Sequence, residues 1–166
     1  EIIVVENNST QQEIFDYYEE LKENEKIRVL TYEGEFNYSA VNNLGVANAN
    51  GEYILLLNND TQVITVNWME ELLMYAQRED VGAVGAKLYY ADKTIQHAGV
   101  VLGLGAHRTA GHSHYKQHRD NLGYMGRLCY AQNVSAVTGA CLLVKKALFE
   151  EAGRLDESFA VSLNDV

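Results

Sequence analysis

The sequence of 166 residues contains no proline, only two cysteines and no long apolar run. Its longest clean apolar run, residues 53–57, is far shorter than the roughly 18 residues that cross a membrane. No membrane span is therefore expected in this chain. Cys129 and Cys141 lie far apart and form no Cys-x-x-Cys pair, so we interpret them as reduced thiols of a cytosolic protein and not as a disulfide framework. For the missing proline we find no physical reason.

Basic residues are scarce, since 13 lysines and arginines face 23 aspartates and glutamates, for a net charge of −10. Such a surface repels phosphate backbones and anionic lipids, so no nucleic-acid partner is expected. The apolar fraction of 47% and the charged fraction of 22% are near the average for soluble globular proteins. The composition therefore predicts one folded domain with a core of its own.

Apolar runs and helix signals alternate along the first half of the chain. Strands are predicted at residues 2–5, 27–32, 53–57 and 81–88, the first of them β-branched throughout, as in strands buried on both faces. Thr10 and Glu13 form a capping box that predicts the start of the first helix. Ser39 and Gly51 are the expected N-cap and C-terminal glycine of the second helix. This order predicts an α/β fold, a mostly parallel sheet with helices on both faces.

The pattern changes after Leu88. Residues 88–90 and 95–102 flank a turn at 91–94 and predict an antiparallel hairpin. Residues 103–126 hold five glycines and four histidines and predict a long functional or mobile loop. A strand-rich stretch at 134–144 and a short helix at 146–152, followed by Gly153, complete the chain.

Polar clusters follow the predicted strands at residues 6–9, at residues 58–60 and after Leu88. Open α/β sheets bind ligands beyond the carboxyl ends of their strands. A carboxylate at Asp60 can hold a hard divalent ion that shares its oxygen ligands with substrate phosphates. In the alternative interpretation, Asn58-Asn59-Asp60 is a polar turn and Asp60 caps the next helix. The residues alone leave both open.

Four segments together resemble family 2 glycosyltransferases. The stretch "SAVNNLGVANANGEYILLLNND", residues 39–60, resembles the core signature that ends in Asp-x-Asp. "EIIVVENNST" is similar to the family's second strand and base-binding turn, and "AVTGACLLVKKALFEEAGRLDE" to its later segment. "GAVGAKLYYADKTIQHAGVVLG" resembles the bacterial branch of rhamnosyltransferase-like enzymes. The four occur in family order over nearly the whole chain, which we read as a domain truncated at both ends.

The resemblance implies a Rossmann-like GT-A fold that moves a hexose or deoxyhexose from a nucleoside-diphosphate sugar to a glycan or lipid-linked glycan. Inversion, a role in cell-surface polysaccharide synthesis and a cytoplasmic location, at the inner face of the membrane in the whole protein, are expected with it. It also implies that Asp60 holds Mg²⁺ or Mn²⁺, which neutralises the charge gained by the diphosphate leaving group. Residues 1–88 would be the nucleotide-binding half of a single domain and residues 89–166 its acceptor-side half.

The resemblance also assigns residues to roles. Asp165 matches the general base that deprotonates the acceptor hydroxyl, a role that suits a carboxylate. Thr138 and Gly139 match the segment that lines the donor sugar. The full predicted nucleotide-sugar site comprises Glu6, Asn7, Asn43, Asn58, Asn59, Thr138 and Gly139.

Two departures from the family pattern support alternatives. Asn58 replaces the first acid of Asp-x-Asp, and Asn42 stands where many members carry arginine. They favour a non-catalytic, glycosyltransferase-like binding module, and a nucleotidyltransferase is a further alternative. The family's first strand is absent before Glu1, so the isolated chain is also expected to bind donor weakly or to be inactive.

The histidines of the predicted loop, His107, His112, His114 and His118, follow an H-x4-H-x-H-x3-H pattern. Zinc uses such ligands, but no cysteine or acid completes a familiar spacing. We therefore favour an acceptor-side loop in which His112 and His114 contact the acceptor. His97 fits two interpretations equally, contact with the donor or acceptor as part of this site and a half-buried position in the hairpin. A zinc enzyme built on these histidines is the third alternative.

Overall fold

The computed structural model describes residues 1–104 and 109–160. Within these ranges the chain is α/β and has four α-helices, α1 Gln12–Lys22, α2 Tyr38–Asn48, α3 Trp68–Ala76 and α4 Lys146–Glu151. Its strands there are β1 Ile2–Glu6, β2 Ile27–Thr31, β3 Tyr53–Leu57, β4 Ala83–Gly85, β5 Leu88–Tyr89, β6 Ile95–His97, β7 Val100–Leu102, β8 Ala110–His112 and β9 Cys141–Lys145. The chain forms two compact units, of which the first takes residues 1–54 and the chain from Lys145, and the second takes residues 55–144.

In the first unit, β1 and β2 pair in parallel, from Ile2 opposite Ile27 to Glu6 opposite Thr31. Helix α1 packs on β2 and helix α2 packs on β1. This confirms the predicted β-α-β opening. The expected burial of β1 on both faces is wrong, since Ile2 is 58% exposed and the middle of the strand is half-buried. The cover provided by these two helices is thus incomplete along the strand.

The predicted helix boundaries need correction. Helix α1 begins at Gln12 after an extended Gln11 that makes no side-chain cap, so the Thr10 capping box does not form. The N-cap of α2 is Asn37, whose Oδ1 accepts the Ala40 N–H at 3.0 Å. The predicted cap, Ser39, is fully buried two residues further on, inside the first turn of the helix. The first side chain able to accept the free N–H of the first turn therefore sets the start of α2.

The end of α2 and its buried face also differ from the prediction. The helix ends at Asn48 and the chain is already extended at Ala49, so Gly51 lies beyond the C-terminal glycine position. The residues buried on α2 are Ser39, Ala40, Asn43 and Val46, whereas the apolar side chains of Val41 and Leu44 are only half-buried. Two polar side chains lie on the buried face because the chain at residues 155–159 supplies their hydrogen-bond partners.

In the second unit, β9 lies between β3 and β4. Strand β4 runs antiparallel to β9, with Ala83 opposite Val144. The predicted long strand at 81–88 is therefore wrong, and the sheet is mixed where a mostly parallel one was expected. The end of the predicted strand does not join this sheet, because Leu88 and Tyr89 form β5 and pair with β6 instead.

Two short hairpins follow. Strands β5 and β6 pair antiparallel around the turn at residues 90–93, which confirms the turn and the first part of the predicted hairpin. The predicted second strand, 95–102, is wrong beyond His97, because Val100–Leu102 form a separate strand. Strand β7 pairs antiparallel with β8, from Val100 opposite His112 to Leu102 opposite Ala110. A long loop was expected at residues 103–126, but β8 lies within this range. The expectation of one continuous loop is therefore wrong. The high glycine content had hidden this strand.

The core of the second unit is built on these hairpins and on the mixed sheet. Ile95 is fully buried, and Leu72, Val100, Cys141 and Leu143 are less than 9% exposed. In the first unit, α4 ends as predicted, with Gly153 at a φ of +91° just beyond it. Among the described residues, no helix has the length and apolar character needed to cross a membrane.

Candidate functional site

The turn after β1 carries Glu6 and Asn7, the two residues predicted to orient the nucleotide. Glu6 is 7% exposed and its Oε1 accepts the backbone N–H of Ser9 at 2.6 Å. Asn7 Nδ2 donates to the carbonyl oxygens of Tyr32 at 2.8 Å and Gly34 at 2.9 Å. The turn after β1 is thereby fastened to the loop after β2. Its shape comes from the same two side chains that we expect at the nucleotide.

Asn43, predicted in the same site, is buried in α2 and bound to a distant part of the chain. Its Nδ2 donates to the Leu155 carbonyl oxygen at 2.9 Å and to Glu157 Oε1 at 2.9 Å. Its Oδ1 accepts the Leu155 N–H at 3.2 Å. Both donor hydrogens of this amide are therefore engaged within the first unit. The geometry gives Asn43 the role of holding residues 155–157 against α2.

In the second unit, the chain leaves β3 through Asn58, Asn59 and Asp60. The Asn58 N–H donates to the Ala140 carbonyl oxygen at 3.0 Å, and Thr61 Oγ1 donates to the Asn58 carbonyl oxygen at 2.8 Å. The first bond joins two segments that the sequence analysis had assigned to one site, 58–60 and 138–140. Thr138 is 8% exposed and Gly139 is buried, whereas Asn59 and Asp60 are exposed.

Asp60 differs from the other aspartates that lie in turns. The pKa of Asp92 is lowered chiefly by the hydrogen bond from the Thr94 hydroxyl, and that of Asp156 is lowered chiefly by a hydrogen bond from Ser158. Within residues 1–104 and 109–160, no donor reaches the carboxylate of Asp60. Helix α3 begins at Trp68 after Asn67, so the helix-capping alternative for Asp60 is wrong.

An exposed carboxylate with no local partner fits a divalent ion, since Mg²⁺ and Mn²⁺ prefer oxygen ligands and share them with phosphates. One carboxylate suffices when the substrate supplies the other oxygens. As far as the chain is described, no group of three histidine, cysteine, aspartate or glutamate side chains converges as a metal cage would require. A substrate-bridged ion at Asp60 is therefore the kind of metal site that these residues fit.

Two of the predicted acceptor-side histidines lie in direct contact. His97 is 1% exposed, and its Nδ1 lies 2.9 Å from Nδ1 of His112. The Gly99 N–H donates to Nε2 of His97 at 3.3 Å, so that nitrogen carries no proton in the neutral ring. His97 then donates from Nδ1, and His112 accepts at Nδ1 and carries its proton on Nε2. The pair joins β6 to β8.

Aromatic residues extend this cluster. The ring of His112 stacks on Tyr115 with centroids 6.2 Å apart, and the Tyr115 hydroxyl lies 3.4 Å from that of Tyr90. This hydroxyl contact, ahead of burial, raises the pKa of Tyr90. Lys116 Nζ lies 3.8 Å from the centre of the Tyr90 ring. Sequence reasoning missed Tyr115 and Lys116, although their place directly after His112 and His114 was a usable signal.

Two of the sequence-predicted residues, the base Asp165 and the loop histidine His107, lie outside the described residues. His118 bonds to its own turn, where its Nδ1 accepts the backbone N–H of Asp120 at 3.4 Å. The structure thus brings together Asn58–Asp60 with Thr138–Ala140, and His97 with His112. The roles of all these residues stay predictions.

Comparisons with known proteins show which family the chain resembles along most of its length. A family model described as "Glycosyl transferase family 2" matches residues 1–153. The chain is 45% identical over its full length to "Uncharacterized protein y4gI" of Sinorhizobium fredii, of which it covers 18%. It is 39% identical to "O-antigen biosynthesis protein RfbC" of Myxococcus xanthus, again over its full length but over 13% of that protein.

A shorter match covers 57% of the chain and 31% of "Glycosyltransferase GlyG" of Streptococcus pneumoniae, at 30% identity. The chain therefore spans less than a fifth of the two relatives that match it end to end. Two of the three relatives carry names from glycan synthesis.

Proposed function

The chain belongs to glycosyl transferase family 2, and from this premise we propose that it transfers a sugar from a nucleoside-diphosphate donor to a glycan acceptor with inversion. The sugar is a hexose or deoxyhexose, as in the rhamnosyltransferase-like branch that the sequence resembles. The acceptor is a growing or lipid-linked glycan of the bacterial cell surface, which is supported by the relative named for O-antigen biosynthesis. The reaction takes place in the cytoplasm, at the inner face of the membrane.

The observation that carries the proposal is the turn after β3. Asp60 has an exposed carboxylate that no described donor reaches, and the Asn58–Ala140 hydrogen bond of 3.0 Å fixes the turn beside Thr138 and Gly139. In this proposal Asp60 holds Mg²⁺ or Mn²⁺ at the donor diphosphate. When bound, the ion neutralises the charge that the leaving diphosphate gains. Asn59 contacts the donor, and Thr138 and Gly139 line its sugar.

The turn after β1 has a separate task in this proposal. Glu6 spends one carboxylate oxygen on the Ser9 N–H, and its second oxygen accepts from the nucleoside. Asn7 spends both amide hydrogens on backbone carbonyls, so it binds the nucleotide through its oxygen alone. Asp165 removes the proton from the attacking hydroxyl. An Asp165→Asn variant is expected to bind nucleotide normally and to lose transfer.

The test is calorimetric titration with UDP, dTDP and GDP, each with and without Mn²⁺. We expect one nucleotide to bind in a metal-dependent manner, and Asp60→Asn to weaken that binding at least tenfold, or about 1.4 kcal/mol. Asp92→Asn is the matched control, because it neutralises another turn aspartate of the second unit whose carboxylate already accepts from Thr94. Metal-dependent binding that survives Asp60→Asn would exclude the metal role of Asp60. Failure of every nucleotide to bind, both to this chain and to a form that carries the family's first strand before Glu1, would refute the donor site.

A second candidate function is a non-catalytic binding module. It is favoured by Asn58 in place of the first acid, and by Asn42, whose Nδ2 is engaged with the Tyr38 carbonyl oxygen at 2.8 Å. Such a module would bind nucleotide or glycan without turnover. Product analysis separates the alternatives. A glycosyltransferase releases a nucleoside diphosphate, a nucleotidyltransferase releases pyrophosphate, and a binding module releases neither.

A further inference from the structure

The second unit contains a cleft of about 420 Å³ that is separate from the turn carrying Asp60. Its walls are residues 98–101 at the start of β7, Ser113 and His114 after β8, Arg127, and residues 132–135. Its volume suits a single sugar ring with its substituents. The cleft is therefore a candidate subsite for a saccharide.

The charge of the cleft is opposite to that of the chain. Arg127 and His114 line it, and so do the amides of Gln132 and Asn133. No aspartate or glutamate is among its lining residues, although the chain has 23 acids and 13 bases. Valine side chains from β7 and from Val134 supply its apolar part, together with Ala98. Such a lining matches a ligand with an apolar ring face and an anionic group.

Arg127 is held in place for such a ligand. Its Nε donates to Gln132 Oε1 at 2.9 Å, and Gln132 Nε2 donates back to the Arg127 carbonyl oxygen at 3.0 Å. This reciprocal pair fixes the base of the guanidinium group. Neither Nη group hydrogen-bonds to any residue in the described ranges, so the fork that pairs with a carboxylate or phosphate stays available.

His114 is oriented by its neighbour. The Ser113 hydroxyl donates to the Ala98 carbonyl oxygen at 2.7 Å, so its single proton is used there. The Ser113 oxygen also lies 3.1 Å from Nδ1 of His114, and this contact then requires His114 to donate from Nδ1. Nε2 of His114 is left for a ligand. With the proton on Nδ1, Nε2 can accept a hydrogen bond from a sugar hydroxyl.

We propose that this cleft binds an anionic sugar of the acceptor, through a carboxylate or a phosphate that pairs with Arg127. The inference rests on the proposed function for the statement that the acceptor is a glycan. It adds that this glycan carries a hexuronate or a sugar phosphate. On a chain of net charge −10, a local cationic cleft is the means by which an acidic glycan can be held.

The test uses calorimetry to measure the affinity of the protein for four ligands. They are methyl glucuronide, glucose 1-phosphate, inorganic phosphate and methyl glucoside. We expect the glucuronide or the sugar phosphate to bind at least tenfold more tightly than the neutral glucoside. Preference for the glucuronide identifies a carboxylated sugar, and preference for the sugar phosphate identifies a phosphorylated one. Equal binding of all sugars, or binding of inorganic phosphate alone, would overturn the proposal.

Variants locate the binding. Arg127→Gln is expected to weaken binding of the anionic sugar at least tenfold, and Asn133→Asp to do the same by placing a negative charge in an otherwise intact cleft. Arg119→Gln is the control, because it removes one positive charge from the same unit at a residue that packs on the Tyr89 ring and does not line the cleft. An equal loss in Arg119→Gln would point to general charge and overturn the proposal.

Nucleotide titration of the same samples separates this inference from the proposed function. Absence of anionic-sugar binding in the unmodified protein, with normal Mn²⁺-dependent nucleotide binding, would reject the cleft and leave the donor site standing. Anionic-sugar binding without any nucleotide binding would keep the cleft and reject the transferase.

Discussion

Asn43 is the residue whose replacement tests the architecture of the first unit most directly. Asn43→Ala removes three hydrogen bonds to residues 155–157, two with the Leu155 backbone and one with the Glu157 carboxylate. A neutral hydrogen bond contributes about 1 kcal/mol net, and one to a charged group somewhat more, although the exposure of Glu157 lowers its share. Alanine regains roughly 0.5 kcal/mol of helix propensity. The free energy of unfolding should therefore fall by about 2–3 kcal/mol.

The assay is urea unfolding, with Asn42→Ala as the matched control. The neighbouring substitution has the same effect on helix propensity but removes only one bond, from Asn42 to the Tyr38 carbonyl oxygen of its own helix. It should change stability by no more than about 0.5 kcal/mol. Hydrogen exchange adds a local measurement, since the Leu155 amide loses its acceptor only in Asn43→Ala. Equal destabilisation by both variants would refute the role of Asn43 as the anchor of this segment.

Two further predictions concern the second unit. Cys129 is exposed, whereas Cys141 is buried and its burial raises the pKa of the thiol; a thiol reagent at neutral pH should therefore label Cys141 at least about tenfold more slowly, and equal rates would contradict its burial. Gly99 and Gly103 have φ values of +98° and +79°, so alanine strains both by about 1 kcal/mol. A Cβ at Gly99 would also lie 2.5 Å from Cγ1 of Val134, and one at Gly103 would meet no described atom within 4 Å. Urea unfolding should show Gly99→Ala to be the more destabilising by a further 1–3 kcal/mol, as for an overpacked core, and equal effects would exclude the Val134 contact.

Local signals predicted well where the chain's neighbours in sequence decide the structure. Strand β3 has the predicted bounds, Tyr53–Leu57, because five apolar residues between turn residues allow little else. The hairpin of β5 and β6 was predicted from its turn, in which the Lys93 N–H donates to the Tyr90 carbonyl oxygen at 2.9 Å. The helix end before Gly153 was predicted from the residue type, since glycine is favoured where a positive φ ends a helix, and Gly153 has such a φ.

Features that depend on distant partners were not predicted from the sequence. The buried face of α2 includes Ser39 and Asn43 because residues 155–159 reach them, more than 100 positions along the chain. No apolar periodicity records such a partner. Likewise, the strand predicted at 81–88 is divided because β9 and β6 compete for its two ends. Each of the two pairings takes residues that local propensity had assigned to one strand.

The same reasoning orders the candidate donor residues by the hydrogen-bonding capacity that the fold has left them. Both amide hydrogens of Asn43 are hydrogen-bonded within the fold, and so are both of Asn7, whose side-chain oxygen remains available. The carboxylate of Asp60 accepts no hydrogen bond within the described residues. Removing a side chain that hydrogen-bonds within the fold lowers the free energy of unfolding. Removing one without such bonds leaves stability unchanged and weakens only the binding of a ligand that it contacts. We therefore expect Asn43→Ala to lower the free energy of unfolding more than it weakens nucleotide binding, and Asp60→Asn to do the reverse. The sequence places Asn43 and Asp60 in one family signature. Only the folded chain shows that Asn43 is already hydrogen-bonded within the first unit, whereas no described donor reaches the carboxylate of Asp60.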